Sequence, residues 1–211
     1  MKIREDNLTV ILADGDFPRH HIPLEILAKA SRIVCCDGAS RSLIANGYEP
    51  LAIVGDCDSV PPEIVSKYAD RIFRSEEQET NDLSKSVKWC VEKGFNEITI
   101  LGATGKREDH TLGNISLLAE YAKESVVKMV TDTGVFYPLL KSGEFNSSPG
   151  QQVSVFSIDP RTEITSTGLK YSLTRMRLSN WWQATLNEAT SDKFTLDFIG
   201  GPLIVFISFA E

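Results

Sequence analysis

Short apolar runs alternate with amphipathic segments through the first two thirds of the chain. Strand-like apolar runs occupy residues 8–13, 32–36, 51–54, 71–73, 97–101 and 125–131. Two intervening segments, 81–93 and 109–123, carry apolar residues at helical spacing. This alternation predicts a layered α/β domain with a mostly parallel sheet.

The pattern changes beyond Gly134, where short apolar runs are separated by turn residues and helical spacing stops. These runs occupy residues 135–140, 151–158, 163–166, 194–199 and 203–209. Short, turn-bounded runs of this kind predict an all-β sandwich. We therefore expect an N-terminal α/β domain at residues 1–133 and a C-terminal β-sandwich domain at residues 134–211.

The composition is that of an ordinary folded protein, with 42% hydrophobic and 24% charged residues among 211. Lys and Arg total 22 against 29 Asp and Glu, a net charge of −7. This balance argues against a nucleic-acid partner, because phosphate backbones require clustered positive charge. No run has the length of a signal peptide core or a membrane span, so we expect a cytoplasmic protein without a membrane partner.

The four cysteines form no C-x-x-C pair and lie mostly within apolar segments, at Cys35, Cys36, Cys57 and Cys90. This spacing favours neither a zinc site nor a disulfide framework. We predict buried thiols.

A pair of aspartates, Asp56 and Asp58, follows the apolar run 51–54 directly. Alternate residues on an extended backbone point the same way, so their carboxylates are predicted to converge on one ion. Hard oxygen ligands at a strand end suit Mg²⁺. A plain turn is the alternative interpretation, since Gly and Asp are common in turns.

Polar clusters also follow three other predicted strands. They are Asp37 to Ser40, Gln78 to Lys85 and Gly102 to His110. Because open α/β folds bind ligands at the carboxyl edge of parallel strands, we expect the four clusters to lie together. Two of them lead into predicted helices, whose free N–H groups favour phosphate. Asp82 and Asp109 are otherwise explained as ordinary acids at helix starts.

Phosphoryl or pyrophosphoryl transfer is the chemistry that fits these clusters best. A metal ion bridges phosphate oxygens, backbone N–H groups cradle them, and Arg or Lys neutralises developing charge. The Gly102 to Arg107 loop supplies both glycines and cations. It matches neither the Walker loop nor the dinucleotide fingerprint.

The order and spacing of these clusters resemble the thiamin pyrophosphokinase family. The similarity continues in the segments Gly168 to Leu173 and Asn187-Glu188, which resemble the thiamin-domain motifs of that family. It implies an enzyme that uses Mg²⁺ to transfer the diphosphate of ATP to the hydroxyl of thiamin, giving thiamin diphosphate and AMP. It also implies an N-terminal nucleotide-binding domain, a C-terminal thiamin-binding domain and a homodimer.

Matching the family motifs assigns roles to individual residues. The Mg²⁺ ligands implied are Asp56, Asp58 and Asp82, which form the catalytic set together with Arg107. Nucleotide contacts are implied for Asp37, Gln78, Lys85, Gly102, Gly105, Lys106, Asp109 and His110. Thiamin contacts are expected from Tyr171, Trp181, Trp182, Asn187 and Glu188. Aromatic rings stack well on a cationic thiazolium, although one tryptophan of the adjacent pair is alternatively a core residue.

Three departures from the family pattern bear on these roles, the first being Asn81, which separates Thr80 from Asp82 where many relatives place threonine directly before aspartate. The chain has Thr185-Leu186 where the family commonly has Thr-Ser, so one hydroxyl near the expected thiamin site is absent. Lys106 stands where glycine is common, and it either adds a cation to the site or is simply solvated.

Two other functions remain open from the sequence. A non-catalytic thiamin or nucleotide sensor would keep the same fold. A metal-dependent nucleotide-sugar transferase would use the D-x-D pair, but it would not require the clusters at Asp82 and Gly102.

Overall fold

The computed structural model describes residues 7–75, 77 and 79–210. These residues form two compact units. The first contains the described residues up to Leu117 together with Glu124–Asp132, and the second contains Leu118–Lys123 and the described residues from Thr133 onward.

The first unit is built on six strands that pair in parallel. They are β1 (Thr9–Leu12), β2 (Arg32–Cys36), β3 (Ala52–Gly55), β4 (Ile72–Arg74), β5 (Glu97–Leu101) and β6 (Val126–Val130). Their order across the sheet is β6-β5-β1-β2-β3-β4. Strands covered on both faces are apolar throughout, which explains the unbroken runs in the sequence. The predicted α/β architecture is confirmed.

Five α-helices are formed by the described residues. They are α1 (His21–Lys29), α2 (Ser40–Ala45), α3 (Pro62–Lys67), α4 (Asp82–Glu92) and α5 (Glu108–Tyr121). Helix α4 starts where predicted because the Asn81 side chain accepts a hydrogen bond from the Ser84 N–H at 2.9 Å. No helix in the described part of the chain has both the length and the apolar character needed to cross a bilayer.

The strand order of the first unit reverses at β1. The chain adds β2, β3 and β4 on one side of β1 and then returns to place β5 on its other side. At such a reversal, the loops leaving the two central strands diverge and open a crevice beyond their carboxyl ends. The loops after β1 and β5 therefore flank the expected position of a ligand.

The second unit consists of two antiparallel sheets. Its strands are β7 (Gly134–Leu139), β8 (Gly143–Asn146), β9 (Gln152–Ser157), β10 (Glu163–Thr167), β11 (Met176–Arg177), β12 (Asn187–Glu188), β13 (Lys193–Ile199) and β14 (Leu203–Ser208). One sheet has the order β12-β9-β14-β7 and the other β11-β10-β13-β8. Buried side chains from both, such as Val155 and Val205 on one sheet and Ile164 and Leu196 on the other, form one hydrophobic cluster. The predicted β-sandwich is confirmed.

All four cysteines are free and buried, as predicted. Burial raises the pKa of the Cys36 and Cys90 thiols to about 12. These thiols stay protonated at neutral pH and act as small apolar residues of the core.

Candidate active site

Three carboxylates lie together after strands β2 and β3. One oxygen from each of Asp37, Asp56 and Asp58 lies within 4.8 Å of the others. The expected extended geometry is wrong, because β3 ends at Gly55 and Cys57 has a φ of 62° in the left-handed region. A turn at Cys57, rather than strand alternation, brings Asp56 and Asp58 together.

Asp37 is the buried member of this group, with 3% of its surface exposed. Its carboxylate accepts hydrogen bonds from the backbone N–H of Gly38 at 2.6 Å and of Cys57 at 3.0 Å. Burial and the charge of Asp82 raise the pKa of Asp37 to about 6. Gly55 makes room for this carboxylate, since a Cβ at that position would lie 2.6 Å from Asp37 Cγ.

Asp56 and Asp58 are linked through the turn between them. The Asp58 N–H donates to Asp56 Oδ1 at 3.3 Å, and this contact lowers the pKa of Asp56. The side-chain contact with Asp56 and its charge raise the pKa of Asp58. Opposite shifts of this kind are typical of carboxylates too close to ionise independently. An all-oxygen set with excess negative charge is the donor set that a hard divalent cation fits.

Asp82, the third metal ligand expected from the family motifs, lies outside this close group of three. Its carboxylate accepts a hydrogen bond from Lys85 Nζ at 3.1 Å. The Lys85 side chain is buried, which lowers its pKa, but Asp82 and neighbouring acids more than offset this, and the net pKa is raised. Lys85 therefore stays protonated and bound to Asp82.

The loops after β1 and β5 are joined by backbone hydrogen bonds. The Gly15 N–H donates to the Gly102 carbonyl at 2.6 Å, and the Asp16 N–H donates to the Thr104 carbonyl at 2.8 Å. Gly102 and Gly105 have φ values of 64° and 80°, which glycine adopts without steric cost. The glycine-rich segment predicted to cradle phosphate is thus held against the first loop.

A cleft of about 280 Å³ opens at this carboxyl edge of the sheet. The residues predicted from the sequence that line it are Asp37, Asp82, Gly105, Lys106, Arg107 and His110. Five predicted residues, Asp56, Asp58, Lys85, Gly102 and Asp109, are not part of its lining. Gln78, also predicted to contact nucleotide, lies outside the described residues.

Asp109 acts on the cleft through Arg107. Its carboxylate accepts hydrogen bonds from Arg107 Nε at 3.1 Å and from the His110 N–H at 2.9 Å. The contact with Arg107 lowers the pKa of Asp109. The exposed guanidinium is therefore oriented at the start of α5 by an acid that does not itself line the cleft.

The sequence interpretation missed the contribution of the first loop. Asp14 and Gly15 line the cleft, as do Asn81 and Asn114. The Asn81 amide donates to Asn114 Oδ1 at 3.1 Å, and the Asn114 amide donates to the Ala103 carbonyl at 2.9 Å. The missed signal was the Asp14-Gly15-Asp16 segment, which follows the first apolar run just as Asp56 to Asp58 follows the third.

In the second unit, the predicted residue Asn187 is buried and fully engaged in local structure. Its side chain accepts from the Tyr171 N–H at 3.0 Å and donates to the Tyr171 carbonyl at 2.8 Å. The same oxygen accepts from the Glu188 N–H at 2.9 Å, while the Glu188 carboxylate pairs with Lys170 Nζ at 3.1 Å. Asn187 thus fixes the backbone that presents the exposed Tyr171 ring.

The two adjacent tryptophans have different surroundings. They lie in a 3₁₀ turn, Trp181–Ala184, rather than on a strand. Trp181 donates from Nε1 to the Ser157 carbonyl at 3.2 Å and packs edge-on against Phe156. Trp182 is 71% exposed, and Leu186 is 78% exposed with a φ of 57°. One tryptophan is therefore structural and the other is accessible.

Comparison with known proteins gives one consistent result. The sequence model described as the thiamin pyrophosphokinase catalytic domain matches residues 24–130, and that of the thiamin pyrophosphokinase substrate-binding domain matches residues 134–206. The chain belongs to the thiamin pyrophosphokinase family. The family resemblance inferred from the sequence is confirmed.

Individual members of the thiamin pyrophosphokinase family are similar over most of their length. The chain is 29% identical to thiamine pyrophosphokinase of Bacillus subtilis (strain 168) over 182 residues, which cover 82% of this chain and 85% of that protein. It is 28% identical to thiamin pyrophosphokinase 1 of Caenorhabditis elegans, covering 80% and 75%. The crystal structure of thiamin pyrophosphokinase from Geobacillus thermodenitrificans superposes with a TM-score of 0.76 at 26% identity, covering 96% and 98%.

Proposed function

We propose that this chain is a thiamin pyrophosphokinase that transfers the diphosphate of ATP to the hydroxyl of thiamin, yielding thiamin diphosphate and AMP. The observation that carries the proposal is the match to both domains of the family, together with a carboxylate cluster beside a glycine-rich cleft. We assign nucleotide binding to residues 1–133 and thiamin binding to residues 134–211.

The carboxylate cluster is proposed to bind Mg²⁺. Asp37, Asp56 and Asp58 supply hard oxygens and a concentration of negative charge, which fit this ion. When bound, Mg²⁺ supplies charge neutralisation for the phosphate oxygens. Asp82 remains a predicted ligand from the family motifs, and its present partner is Lys85.

Positioning and charge stabilisation are the proposed contributions of the other residues. The glycine-rich loop presents backbone N–H groups to phosphate oxygens, and Arg107 adds a cation oriented by Asp109. In the reaction, the thiamin hydroxyl gives its proton to a nearby carboxylate or to solvent, and its oxygen bonds to the β-phosphorus of ATP. The bond between that phosphorus and the oxygen of the α-phosphate breaks, and AMP leaves.

Thiamin binding is proposed to depend on the exposed aromatic rings of the second unit. Tyr171 and Trp182 offer accessible faces for a cationic ring. Asn187 is already hydrogen-bonded within its own unit, so we assign it the positioning of Tyr171 rather than a direct contact. Leu186 replaces a common family hydroxyl with an exposed apolar side chain.

The homodimer and the cytoplasmic location stay predictions from the sequence and its resemblance. Sedimentation velocity over a range of protein concentrations tests the first. A single species with the mass of one 23.4 kDa chain at all concentrations would exclude the dimer.

The activity itself is tested by mixing purified protein with ATP, Mg²⁺ and thiamin and separating the products by chromatography, with EDTA as the control. We expect AMP and thiamin diphosphate in equal amounts, and neither in EDTA. Formation of ADP or free phosphate alone would show that the transferred group is misassigned. Binding of thiamin without any nucleotide turnover would instead support the sensor.

A further inference from the structure

An ion pair joins the two loops that flank the cleft. Lys106 Nζ donates to Asp14 Oδ1 at 2.7 Å. Asp14 follows β1 and Lys106 follows β5, the strands at which the sheet order reverses, and both residues line the cleft. Their side chains are 49% and 52% exposed. Half-exposed pairs contribute little to stability, so a role in binding explains this pair better than a structural one.

The backbone around this pair holds both charges in place. The Asp14 carboxylate is packed against Gly38, where a Cβ would lie 2.6 Å from Asp14 Oδ2. Lys106 has a φ of 56°, a left-handed conformation that is unfavourable for a residue with a side chain. Glycine would adopt this conformation freely, whereas lysine occupies it at a local backbone cost.

The charges of the cleft explain what the pair does. Asp37 and Asp82 also line the cleft, so an uncompensated Asp14 would add a third acid facing any polyanion that enters. Two other basic side chains line the cleft: Arg107, which is paired with Asp109, and His110, which lies on α5. Among the described residues, the ion pair of Asp14 is formed with Lys106.

We propose that Lys106 promotes nucleotide binding by neutralising Asp14, and that Asp14 positions the Lys106 ammonium between the two loops. The two charges act together: Lys106 favours nucleotide binding mainly because it neutralises the negative charge of Asp14. This inference rests on the proposed binding of ATP in the cleft. It differs from a direct bond between Lys106 and phosphate, because the penalty for removing Lys106 shrinks when Asp14 loses its charge.

A double-mutant cycle with full-length protein tests this coupling. The probe is α,β-methylene ATP, added with Mg²⁺. A methylene group replaces the oxygen between its α- and β-phosphorus atoms, so diphosphate transfer cannot occur, and the Kd of the analogue is measured by calorimetry. We expect Lys106→Gln to weaken binding on the order of tenfold and Asp14→Asn to tighten it by about threefold. The double variant should return to within about twofold of the wild type. The Lys106→Gln penalty should shrink at high ionic strength.

Further variants separate the proposal from a structural effect. Lys106→Gly, which suits the left-handed backbone, should reproduce the Lys106→Gln penalty. Lys193→Gln, which breaks the exposed pair with Glu144 in the second unit, should leave the Kd unchanged. In steady-state assays, the single variants should change KM for ATP and leave kcat unchanged.

Two results would overturn the inference. One is a Lys106→Gln penalty of equal size with and without Asp14, which would place the ammonium directly on phosphate. The other is no penalty at all. If the wild type itself fails to bind the analogue, the proposed function fails and this inference with it, a result distinct from both.

Discussion

The first unit brings three carboxylates together at one edge of its sheet, whereas the polar side chains around Tyr171 in the second unit complete local structure. Asp37, Asp56 and Asp58 face one another; burial and the charge of Asp82 raise the pKa of Asp37, and contact with Asp56 raises the pKa of Asp58. Asn187 and Glu188 instead have partners within a few residues of Tyr171. Crowded acids are typical of a cation-binding site, whereas satisfied amides are typical of a scaffold.

The difference also concerns the parts of each unit that remain accessible. In the first unit the accessible groups are charged and polar residues around a cleft. Around the segments of the second unit that resemble thiamin-domain motifs, the accessible groups include the aromatic and aliphatic side chains of Tyr171, Trp182 and Leu186. Metal-phosphate chemistry and the recognition of a cationic ring require these two kinds of surface respectively.

The largest effect is expected from Asp56→Asn. Removal of one charge from the carboxylate group should lower kcat/KM on the order of a thousandfold, because metal and phosphate charge are no longer balanced. The measurement is AMP formation with thiamin and ATP. Glu144→Gln, at an exposed position on β8 of the second unit, is the matched control and should retain full activity. Near-normal turnover by Asp56→Asn would show that the acid cluster is not required for catalysis.

Of the alanine variants considered in the second unit, Asn187→Ala should lower the free energy of unfolding most. It leaves the backbone N–H and carbonyl of Tyr171 without their partners, at a cost of about 2–3 kcal/mol in the free energy of unfolding. Urea denaturation measures this, with Asn146→Ala, exposed on β8, as the control expected to change stability by less than about 0.5 kcal/mol. An increased KM for thiamin at unchanged stability would show instead that Asn187 contacts the substrate directly.

The buried acid Asp37 should make stability depend on pH. Its folded pKa of about 6 lies above the ordinary value of 3.8, so the folded chain binds more protons between these values than the unfolded chain. The free energy of unfolding should therefore fall by about 2 kcal/mol as pH rises through this window.

Urea denaturation in EDTA between pH 4 and 7 measures this dependence in the wild type and in Asp37→Asn. The slope should flatten in the variant, whose amide does not titrate. Added Mg²⁺ should stabilise the wild type more at pH 7 than at pH 5, because the ion binds the ionised acids. An unchanged slope in Asp37→Asn would assign the pH dependence to other groups.

The smallest effects are expected at the tryptophan pair. One variant should change substrate binding and the other should change stability. Trp182→Ala should raise KM for thiamin about fivefold, through loss of a cation–π contact, with stability unchanged. Trp181→Ala should lower the free energy of unfolding by about 1–2 kcal/mol, because it removes the contacts with Phe156 and Ser157. If both variants affect only stability, the exposed ring has no part in substrate binding.

Much of the fold was predictable because its signals are local and periodic. The run 97–101 coincides with β5, and the predicted segments 81–93 and 109–123 contain most of α4 and α5. Strand β8 was missed because Gly143–Asn146 has a single large apolar residue, Phe145, whose ring stacks on Phe194 at 5.0 Å. A strand defined by its pairing with β13, about 50 residues away in the chain, has no local periodicity to detect.

The candidate site was predictable in its residue types and less so in its geometry. The D-x-D pair and the glycine-rich loop are each a short continuous segment of the sequence. The chemistry of each could therefore be inferred from its residues alone. Strand alternation did not predict the left-handed turn at Cys57. The closeness of Asp37 to Asp56 and Asp58 depends on the pairing of β2 with β3, which brings separate loops to one edge.

The sequence by itself determined the α/β and β-sandwich architectures, the burial of the cysteines and the family. Each of these rests on local periodicity or on short motifs in a fixed order. The tertiary structure alone decided that Asp37 joins the acid cluster, that Asp14 pairs with Lys106, and that only one tryptophan is exposed. The physical reason is that charge interaction and burial depend on distances through space. Such distances are set by strand order and loop packing, which residue spacing along the chain does not specify.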